Sequence, residues 1–183
     1  MLRCLSFRKP KLQLQIEFFW GDLMDKNEVY QFLKDKNIKF EITEHKAVFN
    51  MEELNDVELP YPEFDAKNLF VRDDKKRNYY LITVKGDKRV DLKIFRKQHE
   101  LRPLSFASAE DLARIMQLIP GAVTPMGLLN DEERKVHFYL DSDFTGQIIG
   151  VHPNDNTATI WLQAQALLDI ISQHGNKSEI VDL

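Results

Sequence analysis

Apolar and polar positions recur with two different periods along this chain, and the changes of period mark its elements. Asp25-Lys-Asn-Glu28 has capping-box spacing, with Asp in place of Ser or Thr, and predicts a helix start. Val29, Phe32 and Leu33 then fall on one face, while Lys34, Asp35 and Lys36 face water. Phe40 and Ile42 predict a strand ending near His45, a histidine read as a hydrogen-bonded structural residue. Asn50 and Glu53 suggest a second, short helix start, and Pro60 and Pro62 break any regular element beyond it. Residues 69–71 and 79–84 are dense in β-branched and aromatic side chains and predict two strands, with polar residues 73–78 as the hairpin loop between them. Lys85-Gly86-Asp87 reads as a turn, Asp91 as the cap of a short basic helix through His99, and Leu104-Ser105-Phe106 as a brief strand.

Ser108-Ala-Glu-Asp111 repeats the capping-box pattern, and Leu112, Ile115, Met116 and Ile119 form the expected buried stripe of the next helix. Val136, Phe138 and Leu140 alternate with more polar residues, as in a half-buried strand. Ile148-Ile149 and residues 160–162 add two strands around the turn Pro153-Asn154-Asp155-Asn156. Ala166, Leu167, Ile170 and Ile171 line a last amphipathic helix closed by Gly175, and the polar tail 177–183 is expected to fray. Helices and strands interleave, but the last strands come as hairpins without intervening helices. That order favours an α+β domain over a doubly wound parallel sheet.

Composition narrows the function classes. At 183 residues one domain is the default, expected here over 24–176. Hydrophobic content of 43% with 30% charged residues describes a soluble globular protein. The single cysteine, Cys4, excludes an intramolecular disulfide and a four-cysteine metal site, which suits a reducing cytoplasm. No apolar run reaches the length of a bilayer span, so no membrane partner is expected. Histidines 45, 99, 137, 152 and 174 lack zincin or finger spacing, so no protein-bound metal is expected. No Gly-rich nucleotide loop or Gly-x-Ser-x-Gly elbow is present, and no cofactor is expected. Residues 1–23 differ from the rest: Arg3, Arg8, Lys9 and Lys11 precede an alternating apolar and polar run over 12–20, whose glutamines and Glu17 break the unbroken apolar core that a secretory signal needs. They fit neither a secretory signal nor a transit peptide and read as an N-terminal extension or an added edge strand of open role.

The net charge of −4 conceals an asymmetry. Across residues 72–102, eleven Lys and Arg stand against five Asp and Glu, on an otherwise acidic chain. A basic segment on an acidic protein is the pattern expected when one face meets a polyanion; a solvated turn and helix surface is the blander reading.

One loop carries the most specific signal. Gly121-Ala122-Val123-Thr124-Pro125-Met126-Gly127-Leu128-Leu129-Asn130-Asp131 comes after a helix pattern and precedes a strand pattern. Its glycines and Pro125 can expose a defined set of backbone groups to a ligand, although helix stops leading into ordinary turns also look like this. Gly121-x-x-x-Pro125 resembles the Gly-x-x-x-Pro loop of the YbaK/ProX family of prolyl-tRNA editing domains. Ala66-Lys67-Asn68-Leu69-Phe70-Val71-Arg72-Asp73 resembles that family's lysine-bearing strand, and Val151-His152-Pro153-Asn154-Asp155-Asn156-Thr157-Ala158-Thr159 its histidine-bearing hairpin. The three motifs occur in the family's order, and the likeness runs from about residue 24 to about residue 175. The Lys-Asn pair and the hairpin are most similar to the free-standing branch that clears alanine from proline tRNA.

The resemblance implies a curved mixed sheet or partial barrel flanked by helices. It implies an aminoacyl-tRNA deacylase whose partner is the acceptor end of a mischarged tRNA, with prolyl-tRNA synthetase as a further partner and no DNA. It makes Lys67 the cation that meets the terminal phosphate or ribose, as befits a mobile point charge. Backbone groups from Gly121 through Ala122, Val123 and Thr124 to Pro125 would grip the amino acid and the reacting carbonyl. His152 would line the pocket and limit side-chain size, and Asn68 would support Lys67 or touch substrate. Clearance of cysteine, or binding of tRNA or a synthetase without turnover, stays open beside alanine clearance.

Overall fold

The computed structural model describes residues 24–47 and 58–183. The helix start expected at Asn50 and Glu53, and the extension 1–23, lie outside the described residues. The described residues open with helix α1 (Lys26–Asp35), whose capping box forms as the sequence predicts: Asp25 accepts from the Asn27 and Glu28 amides, and Glu28 reaches back to the Asp25 amide. Strand β1 (Phe40–Glu44) comes next, then a short 3-10 turn at Pro62–Phe64. Strands β2 (Ala66–Asp73) and β3 (Tyr79–Lys85) form a hairpin whose turn is held by the Asp73 carboxylate, which accepts from the Lys75 and Arg77 amides and the Asn78 side chain. After them stand helix α2 (Leu92–Gln98) capped by Asp91, strand β4 (Leu104–Phe106) and helix α3 (Ala109–Ile115) with its Ser108–Asp111 capping box. The rest is a 3-10 segment (Pro125–Asn130), strands β5 (Val136–Asp141), β6 (Ile148–Val151) and β7 (Ala158–Gln163), helix α4 (Ala164–His174) and strand β8 (Ser178–Val181).

These strands make two sheets. The smaller is antiparallel in the order β1-β7-β6; the larger is mixed, in the order β4-β2-β3-β5-β8, with β3–β5 and β5–β8 parallel. A single parallel bridge between Asp65 and Gly150 joins them. The architecture is α+β, with sheets flanked by helices and no closed barrel. One apolar cluster, including Val29, Phe70, Phe138, Ile149, Ile160 and Leu167, packs between elements of both sheets. A second, of Val71, Tyr80, Ile82, Val84, Phe95 and Tyr139, covers the other face of the larger sheet.

Three expectations need correction. β5 is buried almost throughout rather than half-buried, because it is an inner strand with an apolar cluster on each face. Ile119 is 62% exposed, because α3 ends at Ile115 and Leu118 turns inward in its place. The residues after Gly175 do not fray: Ser178–Val181 pairs with β5. The buried Asn176 amide anchors that strand by donating to Asp131 Oδ2 (2.8 Å) and to the Val136 carbonyl (3.0 Å). Among the described residues no helix is long and apolar enough to cross a membrane.

Candidate functional site

The loop at Gly121 is built by local chemistry. Gly121 sits at φ 90°, in the left-handed region that favours glycine, and the Ala122 amide donates to the Ile119 carbonyl at 3.1 Å to close the turn. Thr124 then caps the 3-10 segment: its hydroxyl accepts from the Met126 amide (3.4 Å), and Pro125 occupies the first turn, where its missing N–H costs nothing. Ala122, Thr124 and Pro125 are buried. The amides of Val123 and Thr124 make no hydrogen bond among the described residues.

Two side-chain hydrogen bonds tie this loop to the other two motifs. Asn68 Nδ2, on β2, donates to the Val123 carbonyl at 3.0 Å, while Asn68 Oδ1 accepts from the buried Thr83 hydroxyl at 2.7 Å. The Thr124 hydroxyl donates to the His152 carbonyl at 2.6 Å. Three stretches widely spaced in sequence therefore converge, with the Asn68 amide fixed in orientation by a partner on each end.

His152 stands just after β6 and is half-buried. Its Nδ1 lies 2.9 Å from the Ala158 carbonyl, which can only accept, so Nδ1 carries the proton and the neutral ring offers Nε2 as an acceptor. Burial is the main cause that holds its pKa below the usual histidine value; the Ala158 carbonyl opposes this, nearby His45 adds to it, and Asp155 opposes it. The two imidazole centroids are 6.0 Å apart. His45 is fixed by Thr159 Oγ1 at 3.1 Å from Nε2 and by the Lys46 carbonyl at 2.8 Å from Nδ1. It is hydrogen-bonded, as expected, yet its place beside His152 comes from β1–β7 pairing at Glu44 and Ala158, which no local pattern reveals.

Lys67 lies apart from this cluster. Successive strand residues point to opposite faces: Asn68 stands opposite Thr83, and Lys67 opposite Val84 of the second apolar cluster. The Lys67 ammonium donates to the carbonyls of Gly86 (3.2 Å) and Lys88, at the turn after β3, which among the described residues leaves one N–H for a ligand. Burial lowers its pKa from the usual lysine value, with Asp87 opposing and Arg89 reinforcing. The structure thus groups Asn68, Val123, Thr124 and His152, and sets Lys67 against the 86–88 turn.

Of the basic segment, Arg72, Lys88 and Arg102 are engaged in ion pairs with Asp111 (2.5 Å), Asp141 (2.8 Å) and Asp74 (2.7 Å). Lys75, Lys76, Arg77 and Arg89 remain exposed. Sequence reasoning missed Asp65, a carboxyl only 6% exposed at the bridge between the sheets. Burial pushes its pKa up to about 7, against the pull of the Ala66 amide, and its Oδ2 has no hydrogen-bond partner among the described residues. A lone acid before a strand carries no signal of this. Among the described residues no group of three His, Cys, Asp or Glu side chains is placed to hold a metal ion. The cluster's chemistry is therefore an imidazole acceptor, two loop amides unbonded among the described residues and a cation on the far side of β2.

Known proteins are similar to this chain in sequence and in fold. The sequence profile of the aminoacyl-tRNA editing domain matches residues 45–170. The chain is 35% identical over 163 residues to the prolyl-tRNA editing protein ProX of Acetoanaerobium sticklandii, a match covering 88% of this chain and 99% of the relative. It is 31% identical to the prolyl-tRNA synthetase associated domain-containing protein 1 of Mus musculus, across 85% of this chain and 94% of that protein. A structure solved as a candidate trans-editing enzyme for prolyl tRNA synthetase superposes with a TM-score of 0.63 at 20% identity, covering 88% of this chain and 98% of that one; this likeness is of fold.

Proposed function

The chain belongs to the aminoacyl-tRNA editing domain family, and from that premise we propose that it is a trans-editing deacylase that hydrolyses mischarged tRNA(Pro), with alanine as the acyl group it removes. The observation that carries this reading is the pair of hydrogen bonds, Asn68 to the Val123 carbonyl and Thr124 to the His152 carbonyl, that makes one site from three motifs. The names of the relatives, a prolyl-tRNA editing protein and a prolyl-tRNA synthetase associated domain protein, support proline tRNA as substrate and prolyl-tRNA synthetase as a partner.

An aminoacyl ester is activated, so placement of water and stabilisation of the developing oxyanion can suffice without a protein nucleophile. The oxygen of water adds to the ester carbonyl carbon, the bond to the ribose oxygen breaks, and that oxygen leaves with a proton. The unbonded amides of Val123 and Thr124 suit the carbonyl oxygen, whereas the Ala122 amide is already committed to Ile119. Neutral His152 presents Nε2 to the substrate's amino group or to water and limits the side chain that fits. A ribose hydroxyl of the substrate, or an ordered water, takes the proton. Lys67, with one free N–H, meets the phosphate or ribose of the terminal nucleotide, and exposed Lys75, Lys76, Arg77 and Arg89 extend the cationic surface.

Selectivity is a matter of size. A hydrophobic pocket separates substrates that differ by one methylene by only about 1–3 kcal/mol, so a proline site admits alanine and a second, smaller pocket must remove it. The deciding assay is hydrolysis of tRNA(Pro) charged in turn with alanine, proline and cysteine. Fast release of alanine with proline spared is the expected result. Preferential release of cysteine would change the substrate within the family, and no release from any of the three with tRNA still bound would leave a binding module.

A further inference from the structure

Lys88 lies in the basic segment, but its charge is not available to RNA. Its ammonium is 3.0 and 2.8 Å from the two carboxylate oxygens of Asp141, 2.8 Å from Asp143 Oδ2 and 2.8 Å from the Leu183 main-chain oxygen. It donates hydrogen bonds to Asp141 Oδ1 and the Leu183 oxygen, and the contacts to Asp141 Oδ2 and Asp143 Oδ2 are ion pairs, so its charge is matched within the protein. Asp141 is fully buried, and a buried carboxylate without a cation is strongly disfavoured, so the pair fixes the Lys88 side chain in place. The same residue's carbonyl accepts from Lys67 Nζ, beside the Gly86 carbonyl. The turn's main chain is closed further by the Lys88 amide on the Lys85 carbonyl and the Gly86 amide on the Asp65 carbonyl, both at 3.0 Å.

We propose that Lys88 is a positioning residue: pinned by Asp141, Asp143 and Leu183, it fixes the 86–88 turn whose carbonyls aim the Lys67 ammonium. The inference rests on the reading of Lys67 as the cation that meets the tRNA end. It also gives β8 a role at the site, because the strand leads the chain to Leu183, whose oxygen holds Lys88. Substrate never touches Lys88 in this account. Its effect passes through two main-chain carbonyls.

The test reads Lys67 directly and through turnover. Lys88→Met, Lys88→Arg and Asp143→Asn would be compared with wild type by limited acetylation of amines, scored at Lys67 by mass spectrometry. Single-turnover hydrolysis of alanyl-tRNA(Pro) would run beside it. Asp143 is half-exposed, so its amide variant weakens the pin without leaving a buried charge alone. Lys88→Met is expected to raise Lys67 labelling about threefold or more and the half-saturating enzyme concentration about tenfold, with less than about twofold further loss when added to Lys67→Ala, as coupled residues behave. Lys88→Arg should recover most of both, and Asp143→Asn should move both in the same direction as Lys88→Met, by less. Unchanged Lys67 labelling in folded Lys88→Met and in Asp143→Asn would overturn the proposal. So would a full-sized Lys88 effect in the Lys67→Ala background. If wild type released no amino acid, the functional reading would fail, while the labelling would still decide whether Lys88 places Lys67.

Discussion

Lys67 and Asn68 are neighbours in sequence and serve opposite sides of the same strand. On the Asn68 side, side-chain amide and hydroxyl groups tie a loop and a hairpin to the sheet with neutral hydrogen bonds, and the histidine they hold is itself uncharged. On the Lys67 side the contacts are ionic or charge-assisted, running from Lys67 through the 86–88 turn to Lys88, Asp141 and Asp143. On the proposed reading the neutral side meets the ester and its amino acid, and the charged side meets phosphate. The pleat of a strand separates adjacent residues by direction rather than by distance along the chain, which is what sets Lys67 and Asn68 on opposite sides.

The largest expected effect comes from breaking the neutral side. Asn68→Ala leaves the Val123 carbonyl and the Thr83 hydroxyl without their partner. The loop then loses its register, and the saturating rate of alanyl-tRNA(Pro) hydrolysis should fall about 100-fold, the cost of a misplacement of about 1 Å. Thr124→Val removes the donor to the His152 carbonyl and the acceptor for the Met126 amide. A drop of about tenfold in the same rate, with about 1–3 kcal/mol lost in urea unfolding, is expected. The charged side is sharpened by salt rather than by rate: in Lys67→Ala, the slope of log affinity for tRNA against log salt should become shallower by about 0.7–0.9 if that ammonium meets one phosphate.

The seam between the sheets is read in stability rather than in turnover. The folded carboxyl of Asp65 titrates near 7 against 3.8 when solvated, so between those values the folded state binds the extra proton. Its contribution to stability is therefore full at acid pH and is lost as pH rises through about 7. Asp65→Asn should flatten that decline and stabilise the protein at pH 8 by about 1–4 kcal/mol, read as the difference in urea midpoint between pH 5 and pH 8.

Local rules explain most of what the sequence made legible. Asp25, Asp91 and Ser108 announce their helices because a cap is a bond within three residues, and β2 and β3 are apparent from composition. β8 was not legible, since its four residues are polar or half-exposed and its stability comes from the open edge of β5 and the buried Asn176. Ile119 misled because it continues a helical period past the point where the helix has ended. Within the site, the three motifs could be read but not their wiring. That Asn68 holds the loop rather than Lys67, that His45 stands beside His152, and that Lys88 holds the turn all depend on pairings across dozens of residues.

The most direct test is to measure saturating rate and half-saturating enzyme concentration separately, in single-turnover hydrolysis of alanyl-tRNA(Pro), for Asn68→Ala and Lys67→Ala. Two sides with two tasks predict that Asn68→Ala lowers the rate with little change in half-saturation, while Lys67→Ala raises half-saturation far more than it lowers the rate. Equal losses in the same parameter for both variants would contradict that division and make Lys67 and Asn68 parts of one contact.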